Sequence, residues 1–141
     1  MKSLKRIIPV VPAIAGALFC SSVAADWQEV YKFEDGMRIF VDKATVTRNG
    51  DIAEVVHLVR WAEPQQVDDN QAFRSTAVRT AYDCAGKHER YLSSISYADP
   101  MGEGEMILED VQAAESWFSI SEASMEDKLW AVACAAREPQ S

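Results

Sequence analysis

The sequence predicts an α+β fold: an antiparallel sheet of about six strands carrying one C-terminal α-helix, tethered to it by a disulfide. Three observations carry that reading. Short stretches of two-residue apolar alternation run from Trp27 to Val111, divided by turn residues. No interval between them has room for a crossover helix, so neighbouring strands pair antiparallel. After Ser124 the apolar period changes to three and four residues, and a cysteine lies in that last stretch.

The chain opens with Lys2, Lys5 and Arg6, an apolar run from Ile7 to Phe19, and then Ser21-Ser22-Val23-Ala24-Ala25. That is the charged, apolar, small-residue order of an export signal. Residues 1–25 are therefore expected to be removed, leaving 26–141 as a single domain that starts at Asp26. The apolar run is too short, and too interrupted by Pro9 and Pro12, for a transmembrane anchor. Cys20 lies near the depth of a lipid-attachment cysteine. However, Ala17 and Phe19 stand where such signals place leucine and a small residue, so simple cleavage is expected over the lipoprotein alternative.

Three of the 14 Lys and Arg residues precede Asp26, leaving 11 against all 22 acids, a formal charge of −11. A surface that acidic repels phosphate backbones and anionic lipid, so nucleic acid is excluded as a partner. A protein with a basic surface suits it electrostatically.

Trp27 to Phe33 alternates apolar and polar residues as a half-buried strand does, and Glu34-Asp35-Gly36 supplies a turn. Met37 to Asp42 resumes the pattern, giving a hairpin. Arg48-Asn49-Gly50-Asp51 signals a second hairpin, followed by a strand from Ile52 to Trp61. Glu63 to Gln71 has no periodicity and reads as a polar loop. Strands over Phe73 to Cys84 and His88 to Ala98 are separated by Ala85-Gly86-Lys87, and a sixth follows over Glu105 to Val111. Ser121 or Ser124 then caps a helix from Met125 to about Arg137, with Ser124-Met125-Glu126-Asp127 resembling a capping box.

Two cysteines remain after cleavage, Cys84 and Cys134, and in an oxidising compartment such a pair most simply forms a disulfide. Two free buried thiols are the alternative. Closing that loop constrains the unfolded chain by about 4 kcal/mol on the chain-entropy model. The pair is too widely spaced for a C-x-x-C redox motif.

His57 and His88 lack the spacing of zinc ligands, and no nucleophile elbow, phosphate-cradling loop or H-E-x-x-H occurs. Asp68-Asp69-Asn70 and the acids around Gly102-Glu103-Gly104-Glu105 depart from calcium-loop spacing and read as solvated loops. Trp27, Trp61, Trp117 and Trp130 are expected in the core rather than on a ligand-stacking surface. No catalytic, cofactor-binding or metal residue is singled out, and no cofactor is expected.

One order of landmarks adds to this. Trp27, Asp35-Gly36 before Ile39-Phe40-Val41-Asp42, Arg48-Asn49-Gly50, Trp61, Asp83-Cys84, Trp117 and Cys134 together resemble the bacterial surface-adhesin protein E family across nearly the whole mature chain. The resemblance implies an antiparallel sheet with a disulfide-tethered C-terminal helix, and binding to host extracellular-matrix proteins. The resulting expectation is a non-enzymatic secreted or periplasmic binding module with a protein partner. The alternative is a ligand-binding or envelope-accessory domain, using the sheet face between Trp61 and the helix. The expected location is the periplasm, with secretion or outer-surface display as the alternative.

Overall fold

The structure is a computed structural model that describes residues 25–135. Residues 1–24 of the expected export signal, and residues 136 and 137 of the expected helix, lie outside them. Eight strands and one helix follow in chain order: β1 Gln28–Lys32, β2 Arg38–Val41, β3 Thr47–Asn49, β4 Ile52–Gln66, β5 Ala72–Asp83, β6 His88–Tyr97, β7 Met106–Asp110, β8 Phe118–Ser119 and α1 Met125–Ala135. The strands form one sheet in the order β1-β2-β4-β5-β6-β7, with β3 added to β4 and β8 added to β6. Every pairing is antiparallel.

The two strands beyond the expected six arise in the same way. β2 and β3 share one edge of β4, β2 at His57–Arg60 and β3 at Ile52–Glu54. The chain crosses the gap in a 3-10 turn over Lys43–Thr45, where Asp42 accepts the Ala44 N–H at 3.0 Å. The Thr45 hydroxyl accepts the Val56 N–H at 3.0 Å, so the β4 backbone is satisfied where no strand faces it. β6 repeats the arrangement: β7 pairs with Ser94–Tyr97, β8 with His88–Glu89, and the Ala114 N–H reaches the Tyr91 carbonyl at 2.9 Å between them. Fragments this short give weak sequence signals because each is only two or three residues of ladder.

The segment expected as a polar loop from Glu63 is partly strand. β4 runs on through Pro64 to Gln66, with the register against β5 broken between Arg60 and Gln65. Proline has no N–H to give a ladder, so it is tolerated where the pairing is interrupted. The Asn-Gly hairpin forms with Asn49 paired to Ile52, so Gly50 and Asp51 make the turn and Gly50 takes φ +61°.

Register decides which side chains face the helix. Ile39 and Val41 of β2, Ala53 and Val55 of β4 and Tyr82 of β5 point to one face and pack with Ile120, Leu129 and Ala133. Leu129 and Ala133 lie four apart, one turn of α1, and are fully buried. Removing Leu129 from water contributes about 2 kcal/mol. Of the two candidate caps the structure selects Ser124, whose Oγ accepts the Asp127 N–H at 3.1 Å. Asp127 reaches back to the Ala123 N–H at 2.9 Å, one residue beyond a standard capping box. On the other sheet face Leu58 and Phe40 are buried beneath Trp27 and the loop from Asp99 to Gly104. The Ser75 hydroxyl pins that loop, donating to the Asp99 carbonyl at 2.6 Å and accepting the Gly102 N–H at 2.9 Å.

Cys84 and Cys134 are bonded, with Cα atoms 5.6 Å apart. The bond joins the end of β5 to α1. Beside it the Trp130 Nε1–H donates to the Asp83 carbonyl at 3.0 Å, and an Arg48 Nη1–H donates to the Cys134 carbonyl at 2.9 Å. An 11-residue helix is below the ~12–15 residues at which isolated helices become marginal in water, so α1 depends on this docking. The paired substitution Cys84→Ser with Cys134→Ser is expected to lower stability by about 2–4 kcal/mol. In hydrogen exchange the Trp130 indole N–H should lose protection before the amides of β4 and β5. Simultaneous loss of both, with unchanged Tm, would refute a helix held chiefly by this junction.

Candidate functional site

The tryptophans do not form the core. Trp27, Trp61 and Trp130 are half-buried and Trp117 is exposed, whereas Tyr82, Ile39, Leu58 and Leu129 are the largest fully buried side chains. A flat indole fits the rim of a sheet this small better than its thin interior, where Ala53, Ala81 and Ala133 bring the layers close.

Trp117 belongs to a strip of apolar side chains on the outer edge of the sheet. Val111 is 75 % exposed, Phe118 59 % and Met106 53 %, with Leu108 and Trp117 also exposed. β7 ends the sheet order and β8 lies on the same side of β6, so these residues occupy its free edge. Leu108 and Phe118 register against Ser96 and Glu89 and share the helix-bearing face. Trp117 stacks under the Arg90 guanidinium at 5.7 Å, on the other face. The Tyr91 hydroxyl fixes the end of β7, donating to Asp110 Oδ2 at 2.9 Å and lying 2.9 Å from Ser94 Oγ.

Apart from Arg90 over Trp117, the charge around this strip is negative. From Tyr91 to Asp127 the chain has no Lys, Arg or His, and Glu103, Glu105, Glu109, Asp110 and Glu115 are all exposed. Charges along an open edge discourage another strand from pairing with it. They leave the apolar side chains presented for contact through their faces. Of this strip the sequence pointed only to Trp117, and it pointed to the core; the other four residues carried no expectation of a site. The signal lay in the loss of alternation after Asp110, with large apolar residues standing singly among polar ones.

A second feature is a cavity of about 160 Å3 beside α1, lined by His57, Thr80, Tyr82, Glu89, Tyr91, Met125, Glu126 and Leu129. The His57 Nδ1 and the Tyr82 hydroxyl are buried there without a well-formed hydrogen bond. Burial lowers the His57 pKa from 6.5 to about 4. Burial, and then the nearby Glu126 carboxylate, raises that of Glu89. His88 lies 3.9 Å from Asp83 at the β5–β6 turn. On the face away from the helix, a groove of about 500 Å3 runs between Trp27, Met101 and the strands at Val56, Ala77, Ile95 and Tyr97. Among the described residues no group of three or more His, Cys, Asp or Glu could hold a metal ion, and no helix is long and apolar enough to cross a membrane.

His57 binds its proton more weakly in the folded state than unfolded, so stability is complete above pH 6.5 and falls as pH drops toward 4. The loss approaches about 3 kcal/mol below that window. Glu89, with a raised pKa, acts in the opposite sense and offsets part of it. Urea unfolding of wild type and His57→Leu is expected to give a stability difference that shifts toward the variant between pH 7 and pH 4.5. A difference independent of pH would rule out buried neutral His57.

Residues 27–135 match the family model described as surface-adhesin protein E. Among solved structures the chain is similar to crystal form II of Haemophilus influenzae protein E. The two share 14 % identity over 69 % of this chain and 80 % of that one, with a TM-score of 0.60. A selenomethionine form of the same H. influenzae protein matches at 13 % identity over 76 % and 85 %, with a TM-score of 0.59. At such identity these likenesses speak to the fold alone, and they agree with the one described above. No curated protein sequence matches the chain.

Proposed function

Because the chain belongs to the surface-adhesin protein E family, we propose that it is a non-enzymatic binding module that engages a protein through the outer edge of β7 and β8. The exposed strip at Met106, Leu108, Val111, Trp117 and Phe118, set in a stretch with acids and no bases, carries this reading. Aromatic and aliphatic side chains exposed together mark contact surfaces, and removing them from water supplies most of the affinity. The surrounding carboxylates select a partner whose own apolar patch is ringed by Lys and Arg, and they speed the encounter. An extracellular-matrix protein with a basic surface fits that description. The groove beneath Trp27, on the face away from α1, supports a second reading, a ligand-binding or envelope-accessory domain.

The proposal takes 26–141 as one exported domain that reaches the periplasm when residues 1–25 are removed; release or surface display is the alternative. Intact mass of the native protein distinguishes these. A start at Asp26 supports simple cleavage, whereas a start at Cys20 with acyl mass supports lipid-anchored display.

Binding to a panel of extracellular-matrix proteins should be measured at ~50 and ~200 mM salt, where screening differs about twofold in length. Saturable binding that weakens with salt is expected. Phe118→Ser with Trp117→Ser is expected to weaken it by about tenfold or more. Glu109→Gln with Asp110→Asn should mainly slow association. Binding unaffected by all four substitutions would place the contact elsewhere, and no binding at either salt would remove the adhesin reading.

A further inference from the structure

A cleft of about 270 Å3 opens where β2, β4 and β5 meet the loop at Pro100, and three arginines line it: Arg38, Arg60 and Arg74. Arg38 and Arg60 are register partners on adjacent strands. Like charges directly opposite one another across a strand pair are unfavourable. Arg60 in turn faces Ser75, and where the register breaks after Arg60 the next residue of β5, Arg74, lines the cleft together with Trp61 to Pro64.

Their counterions are few. Arg38 Nε lies 3.4 Å from Glu29 Oε1. Arg60 and Arg74 make no ion pair among the described residues, although the chain has 22 acids against 14 bases. Glu63 lines the cleft, outside ion-pair distance of all three. The apolar wall is fixed before any ligand arrives. The Trp61 Nε1–H donates to Thr76 Oγ1 at 2.9 Å, Thr76 lies 3.0 Å from Ser96 Oγ, and the Phe73 ring meets Trp61 edge-on at 6.2 Å.

We propose that this cleft is a binding site for a carboxylate group, independent of the β7–β8 edge. Each guanidinium presents a planar fork of N–H donors matched to the two oxygens of a carboxylate, and Trp61 and Pro64 cover the carbon chain that carries it. A long polyanion is disfavoured, because the mature chain's formal charge of −11 repels it outside the cleft. The carboxylate can come from a free organic acid or from an acidic side chain of a protein, and one titration series distinguishes them.

Glutarate, the acetylated dipeptide amide Phe-Glu, inorganic sulfate and a heparin fragment are titrated against the full mature chain by calorimetry, with the Trp61 indole signal followed by NMR. Saturable binding of at least one carboxylate probe is expected, with the Trp61 signal moving. Arg60→Ala and Arg74→Ala should each weaken it by about tenfold, with Arg60→Lys in between. Both residues are exposed, so Tm should hold. Glu63→Gln should tighten binding, a gain that no folding defect can produce. A dipeptide at least about tenfold tighter than glutarate identifies a protein side chain as the source, and comparable affinities identify a free acid. The proposal fails if neither carboxylate saturates, if only sulfate or heparin binds, or if the alanine variants bind as wild type does.

Discussion

The union of α1 with the β5–β6 turn is the constraint on which the rest of this small protein depends. The disulfide supplies a covalent tether there, but it does not act alone. The Asp83 carbonyl accepts the Trp130 indole N–H, Arg48 donates to the Cys134 carbonyl, and Lys87 pairs with Asp127 at 3.0 Å while lying over the Trp130 ring. Lys87 and Asp127 are partly exposed, so their pairing steers the helix more than it stabilises it. Without α1 in place Ile39, Val41, Ala53, Val55 and Tyr82 would face water, and the sheet would have an apolar face with nothing on it. The cross-link matters because the helix buries only Leu129 and Ala133 completely.

A second constraint is the unequal length of the strands. β4, β5 and β6 are long, with 15, 12 and 10 residues, and the strands that flank this central group are short. Covering one long edge with two fragments leaves gaps that need local hydrogen bonds, supplied by Thr45 on one side and Ala114 on the other. On the β6 side this lays the chain from Met106 to Ser119 along the outer edge in two pieces, and the connecting residues cannot all turn inward. The exposed Val111 and Phe118 follow from that geometry as much as from composition.

Charge is sorted along the same axis. The β6 side carries acids and no bases from Tyr91 to Asp127, while arginines gather on β2, β4 and β5. A net charge describes neither surface. The chain belongs to the surface-adhesin protein E family, and a shared scaffold leaves function to the sites it carries.

The sequence by itself determined the fold class, most strand positions, the helix and the cysteine pair. These depend on local period, turn chemistry and parity, which neighbouring residues encode. It also carried the family likeness, through landmarks such as Asp35-Gly36, Asp83-Cys84 and Cys134. Only the tertiary structure decided that Pro64 lies within β4, because a proline is read locally as a breaker and the broken register that accommodates it is set by β5. Only the fold separated Trp117 from Trp130, since exposure depends on what lies opposite a residue and not on its own type. The three-arginine cleft was invisible for the same reason: Arg38, Arg60 and Arg74 are separated in the chain, and strand pairing with its break after Arg60 brings them to one cleft.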